Sequence, residues 1–268
     1  MNGKRVEYRF IRMCIVPFPV KSIESTKIFV MPSVDKTRQI TFYRNDVDSM
    51  DENLMILPFP NPTSLQLHKV RYKAMFDDLS KSVFKPPTRS YGIYDVGSRC
   101  ASLSCSYEPL PVISHGSYLV SIAETLEDLN RVNPTVFDLP EGIFDLFKTH
   151  YSSEFGYLVC KLKEGKSEYE PLCYSHKLLS QGKLFVPTLH YHDHGSGNVK
   201  TDLADWDHKI YSCGTTKEAN QEYMSYKENK LLWNRFPEEF RLGKDYPIRC
   251  AAIEGNYPNK DLAFQLVT

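Results

Sequence analysis

From residue 7 to residue 60 the chain runs in short apolar or alternating bursts: EYRFIRMCIVPFPV, TKIFVMPSV, RQITFYRN and NLMILPFP. Pro, Asn, Asp or Ser bounds each burst, the punctuation of a strand-and-turn meander. In RQITFYRN the alternation sets Ile40, Phe42 and Arg44 on one face and Thr41 and Tyr43 on the other, which predicts a strand with one buried side. PFPNP, residues 58 to 62, holds three prolines in five positions. It is excluded from a central strand or a helix interior and reads as a stiff extended connection.

Helical spacing enters in the middle of the chain. TLEDLNRV opens on Thr125 with Asp128 three residues later, a capping box with Asp in place of Glu. Leu126, Leu129 and Val132 would line its buried face. In LPEGIFDLFKTHY, Pro140 suits a first helical turn, and Ile143, Phe144 and Phe147 fall at core spacing. A third helical zone is predicted in QEYMSYKENKLLWNRFPEEFR, ended or interrupted by Pro237. The segments SYGIYDVG, SYLVSIA, FGYLVCKL, EPLCYSH, KLFVPTLHYH, HKIYSCG, YPIRCAAIEG and LAFQLVT all read as strands. Strands outnumber helices without strict alternation, so the expected class is α+β and strand-rich, with mixed or mainly antiparallel sheets and a few interpolated helices. One domain over residues 1–268 is expected, with a subdivision near 61–70 as the alternative boundary.

Composition sharpens this. The 268 residues suffice for a large core, and 17 Tyr with 15 Phe lean towards pleated sheet. Thirty-three basic residues balance 33 acidic ones, leaving no global field for a polyanion and disfavouring nucleic acid as the main partner. The seven cysteines, at 14, 100, 105, 160, 173, 213 and 250, are odd in number and include no CxxC pair. Reduced thiols in an intracellular compartment are the expectation, with Cys160 in FGYLVCKL acting as a small buried hydrophobe. MNGKRVEYRF has no signal-peptide core, and no run approaches the roughly eighteen apolar residues of a membrane helix.

The densest chemistry is LHYHDHGSGNVKTDLADWDH, residues 189 to 208, with four of the eight histidines and four aspartates. On a strand, His190, His192 and His194 would share a face opposite Tyr191 and Asp193. If 189–194 paired antiparallel with 207–212 around the turn GSGN, His208 would return towards them, with Asp205 and Asp207 as further ligands. Histidine with carboxylate and an open position suits zinc and hydrolytic chemistry. The plainer alternative is a polar hairpin tip whose His and Asp side chains satisfy loop groups. Trp206, flanked by Asp205 and Asp207, is expected to pack inward while the carboxylates stay wet.

Other chemistry is thinner. Cys100 or Cys105 could pair with a distant His115, His150 or His176 as a thiolate nucleophile, although burial is the usual fate of a free cysteine. Glu124, Glu127 and Asp128 read as a solvated helix face near its amino end. No GxGxxG, Walker or GxSxG sequence is present.

The segments MILPFPNP, YGIYDVGS, FGYLVCKL, KLFVPTLHYHDHG and ADWDHKIY, spanning most of residues 53 to 213, resemble an uncharacterised protein family of large DNA viruses of amoebae, Marseillevirus-like ones in particular, with bacterial relatives. The resemblance transfers no catalytic residue. It implies a viral origin and an intracellular role during infection, in the host cytoplasm or in the particle. Two functions follow from the sequence: a non-enzymatic protein that binds a protein partner, and a zinc-type hydrolase built on the His190–His208 cluster.

Overall fold

The computed structural model describes residues 15–16, 20–49, 52–70, 72–82, 108–140, 142–162, 165–167, 169–180, 182–191, 203–215, 224–225, 231–244 and 246–266. Along the chain come β1 (Val20–Pro32), β2 (Arg38–Ser49), β3 (Asn53–Pro60), β4 (Gln66–His68), helix α1 (Met75–Ser82), β5 (Ile113–His115) and β6 (Tyr118–Ala123). Helix α2 (Ile143–His150) precedes β7 (Phe155–Leu162), β8 (Gly165–Ser167), β9 (Leu172–Lys177) and β10 (Lys183–Val186). Then follow β11 (Leu203–Cys213), β12 (Met224–Ser225), β13 (Ile248–Pro258) and β14 (Leu262–Gln265). The fold is α+β and strand-rich.

The large sheet has the order β12-β13-β11-β1-β2-β9-β4, with β8 also on β2; the small sheet has the order β3-β7-β6-β5; β10 and β14 form a pair. Pairing is antiparallel except where β1 meets β11, with Thr26 opposite His208 and Ile28 opposite Ile210. Asn61 and the 3-10 turn Pro62–Ser64 carry the chain from β3 in the small sheet to β4 in the large one.

Three cores hold these layers. Ile28, Val30, Tyr43 and Ile210 of the large sheet meet Met55, Leu57, Val120 and Leu158 of the small sheet. The other face of the small sheet, with Ile56, Tyr157 and Val159, packs on Ile143, Leu146 and Phe147 of α2. The other face of the large sheet, with Phe29, Phe42, Tyr211 and Cys250, is covered by Met75, Phe76 and Leu79 of α1 and by Trp233, Phe236 and Phe240.

Burial on both faces corrects the sequence expectation for RQITFYRN. It is a strand, but Ile40 and Phe42 enter one core while Thr41 and Tyr43 are also fully buried on the other side. The proline-rich stretch is corrected in part: Pro58 and Pro60 belong to β3 and pair with β7. They are tolerated because β3 ends its sheet, where a missing N–H costs no ladder bond.

The Thr125–Asp128 capping box forms, each backbone N–H donating to the other's side chain at 3.1 Å. It opens a 3-10 helix, Glu127–Arg131, rather than an α-helix. Helix α2 falls where its spacing predicts it. In the third zone, Met224–Ser225 is extended and two 3-10 turns, Trp233–Arg235 and Glu238–Phe240, flank Pro237. Helix α1 has no counterpart in the sequence reading, and SYGIYDVG lies outside the described residues.

Phe42 is fully buried, stacked on Phe29 at 5.8 Å and edge-on to Phe236 at 5.4 Å. Phe42→Ala is expected to cost about 3–5 kcal/mol in urea unfolding, whereas Val34→Ser, at a side chain 58% exposed, should stay within about 0.5 kcal/mol. Equal losses would contradict the assignment of that face to the core.

Candidate functional site

The histidine stretch begins where β10 ends, and buried polar side chains hold the chain there. Gln39 of β2 accepts from the Phe185 N–H at 2.7 Å and donates to the Phe185 carbonyl. Asn259 repeats the device, accepting from the His190 N–H at 2.7 Å and donating to the His190 carbonyl at 2.8 Å. Between them Asp261 accepts from the N–H groups of Thr188 and Leu189 through Oδ1 and from the Tyr151 hydroxyl, at 2.6 Å, through Oδ2. Burial nevertheless raises the Asp261 carboxyl to about 6, the three donors offsetting part of the desolvation.

His190 is thereby set against β11. Alternation along β11 puts Trp206 and His208 on the face that two residues later carries Ile210 into the inter-sheet core. The His190 ring stacks on His208 with centroids 4.9 Å apart at 29°, and Trp206 lies 5.1 Å from His190 and 4.9 Å from His208. All three are buried. Among the described residues neither ring nitrogen of His208 nor Nε1 of Trp206 has a hydrogen-bond partner. Desolvation holds the His208 imidazole down at about 3, so it is neutral.

The expected hairpin does not form. Both edges of β11 are taken, by β1 and by β13, and Tyr191 bridges Ile15 instead. His190 and His208 still meet, because Asn259 and Asp261 follow directly from β13, the neighbour of β11. Asp207 projects from the opposite face of β11 and is only half-buried, while Trp206 packs inward as expected. His192, His194 and the GSGN turn lie outside the described residues, as does the side chain of Asp205. Among the described residues no three His, Cys, Asp or Glu side chains are placed to hold a metal ion. His190 and His208 meet as stacked rings, and two imidazoles alone fall short of the three or four ligands that a zinc site takes.

The thiolate proposal meets similar chemistry. Cys100 and Cys105 lie outside the described residues. Cys160, Cys173, Cys213 and Cys250 are buried, and desolvation pushes the thiols of Cys213 and Cys250 up to about 12, where they behave as hydrophobes. His150 ends α2; His176 lies in β9 between Phe59 and Tyr174, its imidazole held down at about 4 by burial.

Sequence reading missed a second cluster. His68, which ends β4, and His115, which ends β5, line one cavity of about 230 Å³ together with Lys69, Ser117, Tyr118 and Glu170. The two histidines sit at the rims of different sheets, so neither spacing nor periodicity connects them. Beside this cavity, β5 is the last strand of the small sheet among the described residues.

No family model matches the chain, and no curated protein matches it in sequence. Among solved structures it is similar to a mutated baculovirus P35 after caspase cleavage, with a TM-score of 0.49 and 12% identity over 92% of this chain and 98% of that one. Baculovirus P35 gives a TM-score of 0.48 at 13% identity, covering 95% and 100%. The caspase-8/P35 complex gives 0.46 at 11%, covering 91% and 97%.

The buried titratable groups predict a particular pH profile. His208, near 3 in the fold, and His176, near 4, are protonated more readily once unfolded, at about 6.5. Their stabilising contribution is complete above pH 6.5 and is lost as pH falls towards the folded values, at about 1.4 kcal/mol per pH unit for each. His208→Phe should therefore flatten the acid limb of stability, measured by urea unfolding at successive pH values; an unchanged slope would contradict its burial as a neutral ring. Asp261 acts in the opposite sense: raised from 3.8 to about 6, it favours the fold below pH 4 and ceases to as pH rises through 6. Asp261→Asn keeps an acceptor for both N–H groups, so the loss between pH 4 and 6 should vanish in the same titration.

Proposed function

We propose that the protein acts by binding another protein, and that an extended segment of the partner adds to the edge of β5 that pairs with no strand among the described residues. The observation that carries this reading is where apolar surface is exposed. Val112, Ile113 and Leu119 are 37%, 38% and 39% exposed, three of the eight large apolar side chains exposed among the described residues. Ile113 lies opposite Val120 on the inter-sheet side, and Leu119 lies opposite Ser114 on the other side. An added strand would therefore cover apolar groups on both faces with alternate side chains, while its backbone extends the ladder.

Two other sheet ends are guarded. At the far edge of the small sheet, β3 carries Pro58 and Pro60, and Ile15 already occupies Ile56. At one end of the large sheet, β4 presents Gln66 and His68. Prolines and polar residues are common protections against strand pairing; β5 also carries Ser114 and His115, but it sets the exposed Ile113 beside them. The burial of the described thiols and of His190 and His208 supports binding rather than catalysis as the work of this surface. The setting implied by the sequence resemblance is an infected cell or a viral particle.

Peptides selected from a random library on the full chain should shift the amide signals of residues 112–115. Their affinity should fall at least about tenfold in Ile113→Lys and Leu119→Lys, the scale of a lost apolar anchor, with the unfolding midpoint unchanged. Wild-type affinity in both variants would refute strand addition at β5.

A further inference from the structure

The β5–β6 connection has two residues, Gly116 and Ser117, between the paired His115 and Tyr118. Gly116 takes φ 58°, the first central position of a type II′ turn, where glycine is favoured. This tight turn brings His115 to the rim of the large sheet. The Tyr118 hydroxyl donates to the Glu170 carbonyl at 3.3 Å, and the Glu170 N–H donates to Ser117 Oγ at 3.3 Å. The cavity is thus a built seam between the two sheets, walled by the last residue of β4 and the last residue of β5.

Its charges are unequal. Glu170 is neutralised by Lys73, with Nζ 2.9 Å from Oε1. Lys69 faces His115, while Arg38 of β2, Glu239 of the last 3-10 turn and His115 itself face His68. Facing the two rings, that leaves Lys69 and Arg38 against Glu239, with Asp35 acting on Arg38 in turn, and two imidazoles able to add charge. His115 is hydrogen-bonded to the backbone of His68, and His68 Nε2 lies 2.8 Å from Ser175 Oγ with the Phe240 ring edge-on at 4.6 Å. These contacts fix both rings at the wall, where a bound anion would find them already oriented.

We infer that this cavity is a carboxylate subsite at the end of the β5 edge. Resting on the strand-addition reading, the carboxylate is an acidic side chain of the added segment, because a segment paired along β5 runs past His115 directly into the cavity. Burial holds both imidazoles below their ordinary value, so an entering carboxylate promotes proton uptake. Binding therefore tightens as pH falls through the histidine range.

The probe is N-acetyl-aspartate N-methylamide, titrated into the full chain at pH 6 and pH 8 while the ring signals of His68 and His115 are followed by NMR. Both rings should shift, with binding at least about threefold tighter at pH 6, as linkage to a histidine proton requires. The uncharged asparagine analogue should leave them unmoved. Lys69→Gln, a change at an exposed residue, should weaken binding about fivefold, as loss of a charge-assisted contact does. Equal shifts with the asparagine analogue, or none with the aspartate, would overturn the subsite. Library peptides that bind at β5 without an acidic position would overturn the assignment of the carboxylate to the partner. Aspartate binding without strand addition would remove the edge reading alone, so the two failures are distinguishable.

Discussion

The segment from Lys183 to Tyr191 depends on side chains for much of its backbone hydrogen bonding. β10 pairs with β14 for four residues, and beyond that Gln39, Asn259 and Asp261 supply buried partners to Phe185, Thr188, Leu189 and His190. Without them those N–H groups would be buried and unsatisfied, each at a cost of about 1–3 kcal/mol. The segment is worth holding because it serves two cores at once. Leu184 and Val186 enter the seam between the sheets, while Phe185, Leu189 and Tyr191 pack on the α2 side. The same clamps place His190 on His208, so the meeting of these two rings is a by-product of how the chain is tied down.

That arrangement explains what could be read in advance. Alternation located β2, and short apolar runs located β6, β7 and β9, because steric and packing preferences act locally. It did not reveal that β2 would be buried on both faces, since Thr41 looks polar in sequence and is buried only because another sheet lies over it. Helix α1 was hidden for the same reason: MFDDLSKS has one short apolar face, with Met75, Phe76 and Leu79 finding their partners on the large sheet. The capping box at Thr125 was legible to the residue, yet whether five residues wind as 3-10 or α depends on the packing beyond them.

The candidate chemistry was legible as composition and misread as topology. His190 and His208 do come together, but through β13 and the Asn259–Asp261 loop rather than through a hairpin of their own. Meeting in a dry, aromatic environment changes what they can do: desolvation removes the proton from His208, and stacking turns ring faces rather than nitrogens towards one another. The described cysteines follow the same logic, their thiols made inert by the burial that makes them useful as packing. The His68–His115 cavity was beyond reach of pattern reading, because two sheet rims approach there and no local rule specifies the approach.

Where both faces of both sheets contribute to the interior, the proposed recognition falls at an edge and a turn. Helix α1 with the Trp233–Phe240 segment covers part of one outer face and α2 part of the other. An edge offers a different currency, backbone hydrogen bonds, whose specificity must come from side-chain pockets beside it. The exposed Ile113 of β5 and Leu119 of the neighbouring β6 flank such a backbone row, and the polar cavity lies at its end. Tight turn chemistry at Gly116 and the anchoring of Ser117 and Tyr118 to Glu170 hold that edge in place against the large sheet. Rigidity of this kind limits the ordering cost on the protein's side to the few side chains at the rim, so the entropy of association falls chiefly on the incoming segment.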